Sequence, residues 1–247
     1  MKNNNNLNKK NIENLTSLWK TASTPFQTYS HESVYEYTEM KNSDWPNKLW
    51  FKEDIKEHDM GTITGKIKLS NYRLTIPYWD VFNSKSYELL EAKGFTEKSN
   101  QIAMYLKLSN KFDEQRRLEF KPVTNNDDIE LWAELYPRAF GYKISKEILT
   151  KTCNTIHYYL AFFENTPVGT SILFKTEDVV GVHGVGIIPE VRRKGFAEEI
   201  MKFVLNRCID MNAGYVTLQA SAMGKGLYDK LGFTEQFTIK NYILKTK

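Results

Sequence analysis

Residues 179–208 contain the pattern that most limits how this chain folds. An apolar, glycine-containing run ends at Pro189, and a short basic stretch follows at residues 192–195. Beyond this stretch, apolar residues recur at spacings of three and four, with charged residues between them, which is typical of a helix with one buried face. The pattern therefore predicts a strand, a basic loop and the N-terminus of a helix.

A loop and helix N-terminus of this kind can bind an anion. The first backbone N–H groups of a helix have no intrahelical partner, and the helix dipole favours negative charge there. Gly195 lets an anion approach the backbone closely, while Arg192, Arg193 and Lys194 place positive charge around it. We therefore predict that this loop binds a phosphate or a pyrophosphate.

The residues Arg-Arg-Lys-Gly-Phe-Ala at 192–197 resemble the (Gln/Arg)-x-x-Gly-x-(Gly/Ala) signature of the GCN5-related N-acetyltransferases, the GNAT family. In that family, this loop and helix hold the pyrophosphate of acetyl-coenzyme A. Residues 227–233, Leu-Tyr-Asp-Lys-Leu-Gly-Phe, resemble the family's closing helix-to-strand turn. The resemblance implies an acetyl-CoA site that includes Arg192, Arg193, Lys194, Gly195, Phe196 and Ala197.

The resemblance also implies roles for residues outside this loop. Backbone groups of Val185, Ile187 and Ile188 would hold the pantetheine arm and polarise the thioester carbonyl. Tyr228 stands where the family often carries a tyrosine near the coenzyme sulfur, and a phenol with a pKa of about 10 suits proton donation to a thiolate. Ser221 stands where many members have an asparagine that contacts the cofactor, and it retains a hydrogen-bonding hydroxyl.

The sequence leaves open which group takes the proton from the attacking amine. His183 is the titratable candidate in the predicted strand 179–188, and a neutral imidazole can accept a proton directly or through water. Strand alternation predicts that His183 lies on the same side as Val185 and Ile187, where the cofactor is expected. The alternative is a structural histidine, with a chain of water molecules acting as the base.

Hydrophobic periodicity divides the chain into two α/β units. The first, residues 1–110, is predicted to begin with a disordered Asn/Lys leader at 1–10 and to contain strand-like alternation between residues 63 and 76. Residues 111–117 are charged and predicted to be a linker, and residues 118–247 form the second, catalytic unit. The resemblance implies two tandem acyl-CoA N-acyltransferase-like domains built on a mixed, mainly antiparallel sheet flanked by helices.

The second unit follows the element order of the GNAT family. Thr124 is predicted to cap a helix that Pro137 limits, and Ser145 to cap the next one. The predicted strands are 158–163, 168–174, 179–188, 215–220 and a last one around 237–244.

The tetrapeptide Gly-Phe-Thr-Glu occurs at both 94–97 and 232–235, each time after a predicted helix with a tyrosine and before a terminal strand. This repetition indicates a duplication. Before residue 110 no Gln or Arg stands three residues ahead of a glycine, so the first unit lacks the pyrophosphate loop. It resembles the degenerate half of two-domain GNAT proteins, and Trp45, Trp50, Trp79 and several tyrosines are candidates to line the substrate cleft.

Composition narrows the class of protein further. The net charge of +4 fits an anionic cofactor but lacks the dense basic stripe of a nucleic-acid-binding protein. Cys153, Cys208 and the four histidines form no close cluster, so no metal site is predicted. No apolar run suits a signal peptide or a membrane span, which favours a cytoplasmic protein with reduced thiols.

The predicted activity is transfer of an acetyl group from acetyl-CoA to a primary amine by direct attack in a ternary complex. The acceptor is either a small-molecule amine or a peptide amine, and the protein a monomer or a homodimer. Two alternatives are a transferase of a larger acyl or aminoacyl group, and a non-catalytic module that binds or senses acetyl-CoA.

Overall fold

The computed structural model describes residues 2–114 and 117–245. The helices are α1 (Lys2–Ser23), α2 (Met60–Leu69), α3 (Tyr87–Ala92), α4 (Asn126–Phe140), α5 (Lys146–Thr152), α6 (Phe196–Asp210) and α7 (Lys225–Lys230). The strands are β1 (Tyr29–His31), β2 (Tyr35–Thr38), β3 (Lys48–Phe51), β4 (Ile76–Trp79), β5 (Phe95–Lys107), β6 (Glu119–Pro122), β7 (His157–Phe163), β8 (Thr166–Thr176), β9 (Val179–Ile187), β10 (Tyr215–Ala220) and β11 (Thr234–Leu244). No helix in the described ranges is both long and apolar enough to cross a bilayer.

Eight strands form one mixed, mainly antiparallel sheet in the order β4-β11-β5-β10-β9-β8-β7-β6. Strands β4 and β5 come from the first predicted unit but lie in the same sheet as strands of the second. Strands β1, β2 and β3 form a separate antiparallel sheet. The predicted α/β class with a mixed, helix-flanked sheet is thus confirmed, and the sheet continues across the predicted boundary at 111–117.

Strands β9 and β10 run parallel, whereas their outer neighbours β8 and β5 run antiparallel to them. The parallel pairing extends from Val179↔Tyr215 to Gly181↔Thr217. Strand β9 continues to Ile187 and β10 to Ala220 without further pairing between them. The two strands therefore part at their C-terminal ends, at the place where β9 leads into α6.

Alternate residues of β8 face two cores on opposite sides of the sheet. Leu173 packs in the core that includes Ile200 and Val204 of α6. Ile172 packs in the other core, which includes Trp132 of α4. This two-sided burial explains why apolar residues are consecutive at 172–174 of β8.

The first segment of the chain differs from its prediction. Residues 2–10 belong to α1 instead of forming a disordered leader. The polar residues of this helix bond to distant parts of the fold: Asn11 donates to Gln236 and to the carbonyl of Met104, and Lys10 pairs with Asp178 at 2.6 Å. Because these partners are far away in sequence, local composition gives no sign of them.

Two other local predictions were wrong. Residues 60–69 form α2 instead of a strand, since Met60, Ile63 and Ile67 are buried at helical spacing. Helix α4 has Asn125 as its N-cap, not Thr124, and it continues through Pro137 to Phe140. Tyr136 and Phe140 stack across the proline, with ring centroids 4.4 Å apart, and the N–H of Gly141 donates to the carbonyl of Pro137. Ser145 is the N-cap of α5, as predicted.

The two copies of Gly-Phe-Thr-Glu occupy equivalent places. Gly94 follows α3 with φ +86°, and Gly232 follows α7 with φ +88°. The strands that they introduce, β5 and β11, pair side by side and antiparallel, from Tyr105↔Thr234 to Phe95↔Leu244. An antiparallel pair of equivalent units is the arrangement that a local two-fold axis produces, and it is what supports the predicted duplication.

A buried carboxylate ties α1 to the small sheet. Glu36 of β2 is 2% exposed and lies 2.7 Å from Nζ of Lys20, 2.8 Å from Nζ of Lys52 and 2.9 Å from Nδ1 of His31. It also accepts a hydrogen bond from Nε1 of Trp50 at 3.0 Å. Burial alone would raise the pKa of Glu36, but these bonds outweigh it and lower the pKa to about 2.

Acid is therefore expected to destabilise the fold through Glu36. Its pKa in the folded protein lies below the unfolded value of about 4.3, so above that pH the ionised carboxylate adds roughly 3 kcal/mol to the free energy of unfolding. This contribution is lost as the pH falls towards 2. Urea unfolding at about pH 6 and about pH 3 would measure this loss. Glu36→Gln should be less stable at pH 6 and should lose less stability on acidification; equal losses in parent and variant would contradict this assignment.

Candidate active site

A cleft with a volume of about 660 Å³ opens where β9 and β10 part. Its walls come from α1, α4, β9, β10, α7 and the segments around β3, β4 and β11. From β8 to β11 the lining residues are Ile172, Val182, His183, Gly184, Val185, Gly186, Ile187, Arg192, Ala197, Leu218, Gln219, Ser221, Met223, Gly224, Leu227, Tyr228, Ile239 and Asn241. Most of the residues predicted to carry function thus meet in one cavity.

The N-terminus of α6 lies at one end of this cleft. Gly195 is the N-cap, with φ +81°, a conformation that an L-residue with a side chain adopts only under strain. The N–H groups of Phe196 and Ala197, in the first turn, have no intrahelical partner. Ala197 itself lines the cleft. This end of the cleft therefore offers backbone donors to an anion.

The three basic residues before Gly195 have different environments. The Arg192 guanidinium donates to the carbonyls of Ile187 and Ala139, both at 3.0 Å, so it braces the end of β9 against α4. Arg193 and Lys194 are exposed, and Arg193 has a positive φ of +64°. Arg193 and Lys194 thus supply exposed positive charge, whereas the guanidinium of Arg192 is engaged in holding the loop.

The backbone of β9 distinguishes the three residues predicted to contact the pantetheine arm. The N–H of Ile188 donates to the carbonyl of Val168 at 3.0 Å, so it is occupied within the sheet. Because backbone groups alternate between the two edges of a strand, Ile187 directs its own N–H away from β8 and towards the parted end of β10. Val185, two residues earlier, lines the cleft as Ile187 does, whereas Ile188 does not.

The predicted side for His183 was wrong, because β9 contains a bulge. His183 lies opposite Ile172, and Gly186 lies opposite Thr170. Between these two pairs, β9 has two intervening residues and β8 has one. Gly184, with φ +55°, absorbs the extra residue. As a result, His183 points towards α1, while Ile187 points towards α6.

The ring of His183 faces away from the parted end of the strands. A Cβ at Gly181 would collide with Nε2 of His183 and with Oδ1 of Asn14, so both atoms point at the paired part of β9. This Nε2 atom is buried without a hydrogen-bond partner among the described residues. Burial lowers the pKa of His183 to about 4, although a hydrogen bond with Gln219 opposes the shift. His183 is therefore neutral at pH 7 and a weak base.

Tyr228 and Ser221 both line the cleft. The Tyr228 ring packs edge-on against Phe233, with centroids 5.8 Å apart, and lies close to Gly224. Burial raises the pKa of Tyr228, so its phenol keeps its proton at neutral pH. The Ser221 hydroxyl accepts a hydrogen bond from the N–H of Gly224 at 3.3 Å, which shapes the turn before α7.

Comparison with known proteins agrees with this geometry. Residues 123–233 match the Acetyltransferase (GNAT) family. The chain contains a GNAT acetyltransferase domain. The predicted family and enzyme class, acyltransferase, are thereby confirmed, and the domain supports acyl-CoA-dependent N-acyltransferase activity. No curated protein matches the sequence.

Solved structures extend the likeness to nearly the whole chain. A GCN5-related N-acetyltransferase from Kribbella flavida has a TM-score of 0.70 at 14% identity, covering 92% of this chain and 95% of that one. One from Sphaerobacter thermophilus has a TM-score of 0.63 at 16% identity, covering 87% and 78%. A tandem GNAT protein from the clavulanic acid biosynthesis pathway has a TM-score of 0.56 at 8% identity, covering 86% and 79%. At these identities the likeness concerns the fold.

Two residues that hold the basic loop at 192–195 carry no signal in the sequence. Arg117 donates from Nε to Glu199 at 3.0 Å and from Nη1 to the carbonyl of Lys194 at 3.1 Å. Glu199, 3% exposed, also accepts from the N–H groups of Arg117 and Leu118. This pair anchors the end of the predicted linker to α6 and holds the loop from behind, but no motif marks it.

The other wall of the GNAT cleft is aromatic and comes largely from the first predicted unit. Trp45 and Trp79 line it, as predicted, together with Trp19. Trp50 does not; it is buried on the other side of α1, where it contacts Glu36. The tyrosines of this wall, Tyr136 and Tyr142, belong to the second unit and share a hydrogen bond of 2.6 Å between their hydroxyls. No cluster of His, Cys, Asp or Glu suited to a metal ion occurs in residues 2–114 or 117–245.

Proposed function

We propose that this protein is an acetyl-CoA-dependent N-acetyltransferase that moves an acetyl group to a primary amine by direct attack in a ternary complex. The observation that carries the proposal is the N-terminus of α6, which meets the cleft at the point where β9 and β10 part. The family match at residues 123–233 supports it independently. Such a site can hold a pyrophosphate at the helix and a thioester along the parted strand.

In this proposal, the first turn of α6 and the Arg193 and Lys194 side chains bind the pyrophosphate. The N–H of Ile187 and the backbone of Val185 hold the pantetheine arm. Ser221 lines the same cleft and contacts the cofactor through its hydroxyl. Ile188 takes no part, because its N–H is bonded to Val168.

The chemical step is attack by the neutral amine on the thioester carbonyl. The new C–N bond forms, the C–S bond breaks, and the thiolate of coenzyme A leaves. Tyr228 donates its phenolic proton to this thiolate, and its raised pKa keeps that proton available. The amine loses one proton in the same cycle, and the Tyr228 phenolate takes up one proton, so the enzyme returns to its starting protonation state.

We propose that the amine proton leaves through water and not through His183. A general base works best when its pKa lies near the working pH, and the pKa of His183 is about 4. His183→Gln is therefore expected to keep kcat/KM within about threefold of the parent between pH 6 and pH 9. Steady-state rates across this range check the prediction. A loss of about 100-fold, the size expected for removal of a general base, would assign the proton to His183 instead.

Calorimetric titration of acetyl-CoA, followed by thiol release in the presence of primary amines, tests the proposed function. We expect binding, amine-dependent release of coenzyme A in equal amount to acetylated amine, and intersecting initial-velocity lines. Parallel lines would overturn the ternary complex. Binding of acetyl-CoA without release of coenzyme A across a broad panel of amines would indicate a cofactor-binding module. No binding of acetyl-CoA would rule it out as the acetyl donor.

A further inference from the structure

Lys48 of β3 reaches the active-site cleft from the opposite wall. It lies beside the aromatic surface there, with Nζ 5.7 Å from the ring centroid of Trp19. No carboxylate lies within 4.0 Å of this ammonium group among the described residues, in contrast to Lys20 and Lys52 nearby, which both pair with Glu36. Lys48 is thus a cation for which the described part of the chain provides no counter-ion, in a partly enclosed site.

The charge of the whole cleft shows the same imbalance. Among the described residues that line it, the charged ones are Lys48 and Arg192, and none is Asp or Glu. The Arg192 guanidinium is engaged with two backbone carbonyls. Within residues 2–114 and 117–245, Lys48 is therefore the cation that faces the cavity without a bonded partner.

Burial changes the pKa of this ammonium group. Loss of solvation lowers the pKa of Lys48 to about 8, and the charge of Lys98 adds to the effect. At pH 7 the group is still mainly charged, and an anion placed beside it would favour the charged form. A lysine that only covers an aromatic ring usually keeps its ammonium group in water.

We propose that the acceptor amine carries a carboxylate, which pairs with Lys48, and an apolar or aromatic body, which lies against Trp19, Trp45 and Trp79. The inference rests on the proposed function, since it names the acceptor class for the same site. The charge of the cleft also excludes polyamines and aminoglycosides as preferred acceptors. Their additional cations would meet Lys48 and aromatic rings, with no lining carboxylate to bind them.

Ligand binding tests this proposal without any need for turnover. We would titrate 3-phenylpropionate and its neutral analogue 3-phenylpropanamide, following tryptophan fluorescence, with and without coenzyme A. The carboxylate is expected to bind about tenfold more tightly than the amide, and Lys48→Met should remove this difference. Lys68→Met, which makes the same change on the exposed face of α2, should leave it intact. Equal binding of the two ligands, no binding of either, or a preference that survives in Lys48→Met would each overturn the proposal.

A kinetic experiment separates this proposal from the proposed function. The ratio of kcat/KM for L-phenylalanine to that for L-phenylalaninamide should fall about tenfold in Lys48→Met, and comparing variants cancels the intrinsic reactivity of the two amines. Acetylation of both amines with an unchanged ratio would refute the role of Lys48 alone. Failure of the parent to bind acetyl-CoA would refute the proposed function, while the fluorescence titration would still decide whether the cleft selects a carboxylate.

Discussion

Replacement of Gly195 by tryptophan is expected to abolish acetyl-CoA binding, with a loss of at least about 100-fold in affinity measured by calorimetric titration. Gly195 has φ +81° at the N-cap of α6, where the proposed pyrophosphate contacts the backbone. A side chain there fills the space that the anion needs. It also approaches the guanidinium of Arg117, since a Cβ would lie 3.3 Å from Nη2.

Gly61→Trp is the matched control for this experiment. Gly61 is exposed in α2, and a Cβ there would meet nothing within 4 Å, so the change should leave cofactor binding as in the parent. The strain at Gly195 costs roughly 1–2 kcal/mol, which a folded domain tolerates, and thermal melting of each variant verifies this. Parent-like binding by a folded Gly195→Trp variant would show that the cofactor does not lie against this turn.

The local structure around the basic loop was predicted well because the information there is local. A strand, a basic loop and a helix follow one another within residues 179–208, and each depends mainly on its own residue types. Tyr228 could be proposed for the same reason, since its motif is contiguous with the Gly232 turn. The structure brings Arg192, Ala197 and Tyr228 to the lining of one cleft.

The side of His183 could not be predicted, because it depends on a bulge. Strict alternation from Ile187 back to His183 places both on one face, and one extra residue reverses the relation. Gly184 is the sequence signal that could have indicated it, since a glycine within a strand often marks a bulge. Three glycines occur in this strand, however, and residue type alone does not say which one absorbs the extra residue.

The first unit was predicted less well, since its elements depend on contacts that are distant in sequence. Helix α1 is rich in asparagine, a weak helix former, and its partners lie on β5, β8, β11 and the turn before β9. Helix α2 contains two glycines and two threonines, which lower helix propensity, yet Ile63 and Ile67 are buried in the core that includes Leu49. In both helices tertiary packing overrides local preference.

The position of Lys48 illustrates what only the fold could reveal. In the sequence it is one of many lysines, and nothing near it resembles a motif. Strand β3 pairs with β2 in the small sheet and makes a parallel bridge from Lys48 to Thr75, which places this residue against the main sheet. The charge of the cleft therefore depends on how the two predicted units meet, and no local pattern encodes that.

Tyr228→Phe is expected to lower kcat by about 100-fold while leaving the affinity for acetyl-CoA unchanged. The variant keeps the aromatic ring, and with it the packing on Phe233, but it has no proton to give to the departing thiolate. Because burial raises the pKa of Tyr228, the parent should show no loss of activity from phenol ionisation below about pH 10. Steady-state kinetics and calorimetric titration together separate the two effects.

Tyr215→Phe provides the matched control, since Tyr215 is a partly buried tyrosine of β10 at the end where that strand still pairs with β9. It should keep the kcat of the parent. A Tyr228→Phe variant with kcat within about threefold of the parent would show that solvent protonates the thiolate. The role of Tyr228 would then be limited to the packing of its ring, which the variant retains. A fall in kcat accompanied by an equal loss of affinity for acetyl-CoA would instead place the Tyr228 hydroxyl among the groups that hold coenzyme A. The reason is that an interaction made only in the transition state changes kcat and leaves cofactor binding unchanged.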